Sequence, residues 1–246
     1  MEQLPTMITR ASFEAWVASI FNDLKTPSLR KIAKIANISK SRLSYQLTAD
    51  SVDPRIVISV ARELELSPLV ELSKFPGYES LGGKVAEAKP SEVLAFISHR
   101  DIYAEIGRRL RLDIKPKDLD VLPPAEIWYS WFKIVAPSAT QSEIKEITGA
   151  SVSMISRNHQ AASWDIGQIL IIAKSLGISP QMSLAASGNL TLSEAGFSPM
   201  LREQALKAAT DLELQARLEK IASSLASDIG SRNESELAHA IVEHLA

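Results

Sequence analysis

The sequence predicts an all-α protein, and three observations predict it. Apolar residues recur at spacings of three and four, as in Phe13, Trp16, Val17, Ile20 and Phe21, the period of an amphipathic helix. Polar/apolar alternation is nearly absent, and the chain has no Asn-Gly or Asp-Gly hairpin turn. Helix-start signals are well marked: Ser12, Ser28, Ser91 behind Pro90, and the pair Pro123-Pro124.

Composition sets the class. With 246 residues, 46% of them hydrophobic and 23% charged, the chain suits one large globular domain or two ordinary ones. No apolar run approaches the ~18 residues of a membrane span, and the first residues lack the layout of a signal peptide. There is no cysteine, hence no disulfide, thiolate metal site or Cys nucleophile. The expectation is a cytoplasmic protein without membrane or cofactor. A net charge of −2 means that any nucleic-acid surface must be local.

An internal repeat organises the elements. Shifting the chain by 112 positions places Trp16 on Trp128, Ile32 on Ile144 and Ile35 on Ile147. The same shift places Ser39, Ser41 and Ser44 on Ser151, Ser153 and Ser156, Asp53 on Asp165, and "ARELELSP" on "AKSLGISP". The match runs without a gap, so two copies of one helical domain are expected.

In the first copy Ser12 is expected to cap the first helix and Ser28 the second. "SLRKIAKIA" and "SKSRLSYQL" then form two helices joined by "NIS". Asn37 ends the first in the left-handed conformation and Ser39 caps the next. Ile32, Ile35, Ile38, Leu43 and Leu47 point inward, and small Ala33 and Ala36 let the helices cross closely. This is the spacing of a helix-turn-helix.

After a flexible Gly-Gly link the connector forms a helix or helix pair and ends in a Pro-interrupted loop. The second copy opens on Trp128, Tyr129, Trp131 and Phe132, read as core rather than a base-stacking platform, with Tyr129 and Trp131 partly exposed against the connector. Residues 199 to 229 read as one long helix with Leu201, Ala205, Ala208, Leu212, Leu218, Ile221 and Leu225 on one side and Leu206 and Leu214 off the stripe. Gly230 ends it, and a last helix spans about 233 to 244. The resulting layout is an N-terminal domain (1–81), a helical connector (82–122), a second domain (123–198) and a helical tail (199–246).

Charge distinguishes the copies. Residues 28 to 48 hold Arg30, Lys31, Lys34, Lys40 and Arg42 and no acid. In residues 140 to 160, Glu143 and Glu146 offset Lys145 and Arg157. Lys145 also stands where the first copy has Ala33, and His159 replaces Leu47.

Residues 12 to 75, and again 124 to 197, resemble the lambda-repressor-like (Cro/C1 type) helix-turn-helix family. "SPLVELSKFPGYESL" and "SPQMSLAASGNLTLSEAG" are similar to the closing helices of actinobacterial and actinophage members, and the two-copy layout is similar to actinophage immunity repressors. The resemblance implies two such domains joined by a helical connector and followed by a helical tail. It implies a sequence-specific repressor that occupies operator DNA in the cytoplasm of a bacterial host, at the nucleoid. Carried over by position, Lys40, Ser41, Arg42 and Tyr45 would contact base edges; Arg30, Lys31, Lys34, Thr48 and Arg55 would hold phosphates.

In the second copy Ser153, Arg157, Asn158 and Gln160 are the base-contact candidates and Ser151 the phosphate candidate. Two readings stay open there: a second DNA-binding module, or a degenerate copy used for packing or dimerisation. A monomer with two modules is expected over a homodimer built on the tail. The alternative function is a protein-interaction, antitoxin-like regulator in which only the first module touches DNA. Four scattered histidines, including His99 near Asp101, His239 and His244, make no metal or acid–base site. No Gly-rich phosphate loop or nucleophile–base set points to an enzyme. No Ser/Lys self-cleaving domain is present, so any induction is expected to proceed without autoproteolysis.

Overall fold

The computed structural model describes residues 7–21, 27–83, 85, 88, 92–93, 96–97, 99–111, 127–161, 163–198 and 200–219. Among them helix dominates and there is no strand, only an isolated antiparallel bridge between Ile8 and Val52. The first helices are α1 (Arg10–Ile20), α2 (Leu29–Ile35), α3 (Lys40–Thr48), α4 (Pro54–Glu63) and α5 (Pro68–Leu72), followed by a 3-10 turn, Glu79–Gly82. Next come α6 (His99–Arg109), α7 (Ile127–Val135), α8 (Gln141–Thr148), α9 (Val152–Ala161), α10 (Ile166–Ser175) and α11 (Pro180–Ala186). The tail supplies α12 (Leu201–Ala208) and α13, residues 211–219.

The 112-residue shift superposes helix boundaries as well as letters. α3 and α9 begin in register, α4 and α10 coincide at both ends, and α5 and α11 both begin on proline. Their caps coincide too. Ser28 and Thr140 accept from backbone amides three residues on, as do Ser67 and Ser179. The packing pairs recur: α2 on α3 and α4, α8 on α9 and α10, α4 on α5, α10 on α11. The turn before α3 needs a left-handed residue, supplied by Asn37 (φ 54°) in the first set and by Gly149 (φ 70°) in the second.

Each set closes around aromatic and aliphatic side chains. Phe13, Trp16, Leu43, Val57 and Leu72 are buried in the first; Trp128, Trp131, Ile155, Trp164 and Ile169 in the second. Burying one such side chain contributes roughly 1.5–3 kcal/mol. Ile32, Ala33, Ala36 and Leu43 lie inside as expected, while Ile35, Ile38 and Leu47 are half-buried.

Several expectations are corrected. Thr9, not Ser12, caps α1: its hydroxyl accepts from the Ser12 amide at 3.3 Å, so Ser12 sits inside the first turn. Trp131 is fully buried, because its indole N–H donates to the Glu92 carbonyl at 3.1 Å and its ring meets Phe96 edge-on. Gly82 closes the 3-10 turn against Ser73, whose Oγ would stand 2.7 Å from an added Cβ, so the Gly-Gly pair begins in close packing. The caps expected at Ser91 and Pro123-Pro124 lie outside the described residues.

The tail is also broken where one helix was expected. Thr210 Oγ1 accepts from the Glu213 amide at 3.2 Å while Glu213 accepts from the Thr210 amide at 2.7 Å, a reciprocal cap that starts a new helix. The break changes which side faces inward. Leu206 and Leu214, off the expected stripe, are buried, and Leu212 is 76% exposed. Ile221, Leu225, Gly230 and the last expected helix lie outside the described residues.

The chain divides into two compact units, Met1–Phe96 with Asp120–Leu201, and Ile97–Leu119 with Arg202–Ala246. Both repeat sets belong to the first. In the second, Arg202 pairs with Asp101 in a buried ion pair. Arg109 reaches the carbonyls of Leu206 and Ala209 at 3.0 and 2.7 Å, closing the end of α12. Glu105 accepts from Arg108 and Arg109 at 2.7–2.9 Å, and these guanidinium bonds, Arg108 first, hold its carboxyl down to about 2.

Candidate nucleic-acid interface

The turn between α2 and α3 places a basic surface. Ser28 starts α2 with Arg30, Lys31 and Lys34 facing outward, and Ser39 starts α3 with Lys40 and Arg42 exposed beside Tyr45, which is 75% exposed. Arg30, Lys34 and Lys40 line one open cleft of about 600 Å³ together with Ala33, Asn37, Ile38 and Ser39. Among the described residues, no ion pair involves Arg30, Lys31, Lys34, Lys40 or Arg42. Ser41 lies beside Ser39, their hydroxyl oxygens 3.0 Å apart. This region gathers unpaired cations, an exposed phenol and hydroxyls on the outer edge of one helix pair.

Two of the expected phosphate-contact residues make hydrogen bonds within the chain. Thr48, exposed, donates through Oγ1 to the Ser44 carbonyl at 2.9 Å. Arg55 donates through Nε to Asn189 at 3.1 Å and through Nη2 to the Trp164 carbonyl at 2.7 Å, with Asp53 at 3.7 Å from Nη1. It holds the two sets together. No sequence signal local to residue 55 could show this, since its partners lie 109 and 134 residues away.

Arg62, which the sequence reading passed over, extends the same seam. It donates to both carboxylate oxygens of Glu194, at 2.6 and 2.8 Å, and to the Asn189 carbonyl at 3.2 Å. The hydrogen bonds to Glu194 raise its pKa further. On the other side Tyr78 is buried, and burial, Asp53 and Asp165 together push its ionisation upward.

Both arginines of this seam come from the first set; at the shift-related places the second set has Gly167 and Lys174, so the two sides of the seam contribute different groups.

The second set repeats the frame of the basic surface without its charge. Ser151 and Ser153 have hydroxyl oxygens 3.1 Å apart, and Ser151 accepts from the Met154 amide at 3.3 Å, as Ser39 does from Arg42 at 3.1 Å. Arg157 is exposed; Asn158 is half-buried and accepts from Ser163 at 3.1 Å. The side chain of Gln160 lies outside the described residues. Where the first set carries Arg30, Lys31, Lys34, Lys40 and Arg42, the second carries Ser142, Glu143, Glu146, Val152 and Met154, all exposed.

Behind this surface His159 is buried between Tyr129, Phe132 and Trp164, with ring centroids 5.1–5.3 Å away. Burial, with Lys133 nearby, pushes it down to about 4. Lys133 stands 4.3 Å over the Tyr129 ring. Among the described residues no cluster of His, Asp and Glu could hold a metal ion, and no helix is long and apolar enough to cross a membrane. Comparison with known proteins finds no family model, curated protein or solved structure that matches the chain.

Proposed function

We propose that the chain is a sequence-specific transcriptional repressor that binds double-stranded DNA through one or both of two helix-turn-helix modules of lambda-repressor-like type, acting in the bacterial cytoplasm as a phage immunity repressor does. The observation that carries this reading is the group Arg30, Lys31, Lys34, Lys40 and Arg42, exposed, without an ion pair among the described residues and set around one helix–turn–helix edge. α3 begins there, and the start of such a second helix enters the major groove while its neighbour meets the backbone. Lys40 and Arg42 donate to guanine O6 and N7, Ser41 and Tyr45 adapt to either strand, and Arg30, Lys31 and Lys34 neutralise phosphates. Repression needs no chemistry; occupancy of the operator excludes polymerase.

The test is selection of binding sites from a random duplex library with the full chain. The reading expects one enriched sequence, and binding whose log affinity falls with log salt. That slope becomes shallower by roughly 0.9 for each of Arg30, Lys31 and Lys34 replaced by alanine. No enriched sequence overturns it.

A second reading, an antitoxin-like regulator whose second module binds a protein, draws on the exposed apolar side chains of Val152 and Met154. Two such side chains are a small patch beside a protein interface, which makes this the weaker reading.

A further inference from the structure

We infer that DNA is read by the first helix-turn-helix alone, and that the second set is a DNA-silent twin packed against it within the same chain. This rests on the repressor reading above and specifies its binding mode: one chain on one short site without two-fold symmetry.

Two independent observations carry it. The first is substitution at equivalent places. Five exposed positions around the α2–α3 turn are all cationic in the first set; in the second they are Ser142, Glu143, Glu146, Val152 and Met154, two acids and no cation. The frame beneath is unchanged, from the threonine or serine cap of the first helix to the paired serines at the start of the second. Around this turn the loss of charge falls on the groups that would face a phosphate backbone carrying one negative charge per ~1.7 Å of duplex. Glu143 and Glu146 stand where Lys31 and Lys34 would each release a counterion, so they repel the ligand that their counterparts attract. Lys145, in the place of Ala33, and Arg157, in the place of Tyr45, are changes in the opposite direction, two cations that bring the second set to neutrality where the first carries five positive charges.

The second observation is the seam. Arg55 and Arg62 bind Trp164, Asn189 and Glu194 of the second set, so this face of the first set is already filled from within its own chain. A second chain cannot dock there without displacing it.

The experiment uses the full chain on the duplex selected above. Wild type is expected to protect a single short asymmetric site at one chain per duplex, and Arg157→Ala to change affinity less than twofold. The variant Glu143→Lys, Glu146→Lys, Val152→Lys, Met154→Arg restores the first set's residues at four exposed positions. On duplexes carrying the site and a second copy in either orientation, it is expected to extend protection by about one helical turn, ~10 base pairs, on one of them. Its salt slope steepens by roughly 0.9 for each added cation that reaches a phosphate. A wild-type footprint covering two half-sites, or a loss above fivefold in Arg157→Ala, overturns the inference and leaves the repressor reading standing. So does a restored variant with unchanged footprint and slope. Absence of any enriched duplex overturns both.

Discussion

The first and second helical sets share helix boundaries, caps, turn geometry and packing pairs, yet differ in what they present to solvent and in how two polar groups are satisfied inside. In the first, the Trp16 indole N–H donates to buried Glu71 at 2.8 Å, and Lys74 covers both Glu71 oxygens at 2.7 Å. In the second, Ser183 stands where Glu71 does and donates instead to the Ser179 carbonyl, so the Trp128 indole has no partner among the described residues. Likewise the half-buried Leu47 becomes the buried His159. A repeat can keep its scaffold while its polar details and its outer face diverge, because caps and apolar spacing set the scaffold and neither depends on the exposed positions.

The comparison is broken or sharpened most by the outer face. Replacing Lys40 and Arg42 together with alanine is expected to lower affinity for the selected duplex at least about thirtyfold, on ~1–3 kcal/mol per base-reading side chain. Val152→Ala with Met154→Ala is expected to change it less than twofold, measured by titration at one salt concentration. Equal losses for the two pairs would mean that both sets read DNA alike.

The next effect is internal and pH-dependent. His159 is held down to about 4 against an ordinary 6.5, by burial and then by Lys133. As pH falls the unfolded chain takes up the proton first, so stability is complete above about 6.5 and declines on the way to 4. The window corresponds to roughly 3 kcal/mol. His159→Leu, which installs the residue of the first set, is expected to remove that decline in urea midpoints taken at pH 7 and pH 4.5. A decline that persists unchanged in the variant would place its origin elsewhere.

A smaller contrast separates the two indoles. Trp16→Phe removes a buried hydrogen bond to a carboxylate and Trp128→Phe removes none, so the first is expected to be the more destabilising by about 1–2 kcal/mol. Matched thermal or urea unfolding checks this; equal costs would show that the Glu71 contact contributes nothing net. The smallest expected effect is at the seam. Arg62→Ala, at a pair whose side chains are 39% and 18% exposed, is expected to cost below about 1 kcal/mol. Its signature is a broadened transition as the sets begin to unfold separately, and a transition that stays equally sharp would assign the coupling to other contacts.

Much of the fold was legible in these residues. The repeat, the caps at Ser28 and Ser39, the left-handed Asn37 and the buried Trp16 and Trp128 follow from signals within a few positions of each other. The basic surface was legible for the same reason, since its five cations lie within 28 to 48. The aromatic cluster was read as core, but the burial of Trp131 depends on Glu92 and Phe96, 39 and 35 residues earlier, and lay beyond a local pattern. The tail misled because Leu201 and Leu212 fit a helical period that continues on paper through Thr210. The cap made by Thr210 and Glu213 is itself a local signal, a threonine followed three residues later by glutamate, and could have located the break.

By itself, then, the sequence determined the helical class, the doubling of one unit and the edge on which positive charge gathers, since helix period, capping and turn chemistry act over about four residues. Only the tertiary structure decided that Arg55 and Arg62 join the sets and that Arg109 closes α12. Those bonds connect residues about 100 or more positions apart. Their partners are selected by packing of the whole unit, and a side chain's charge alone does not say whether it will meet a carbonyl, a carboxylate or a phosphate.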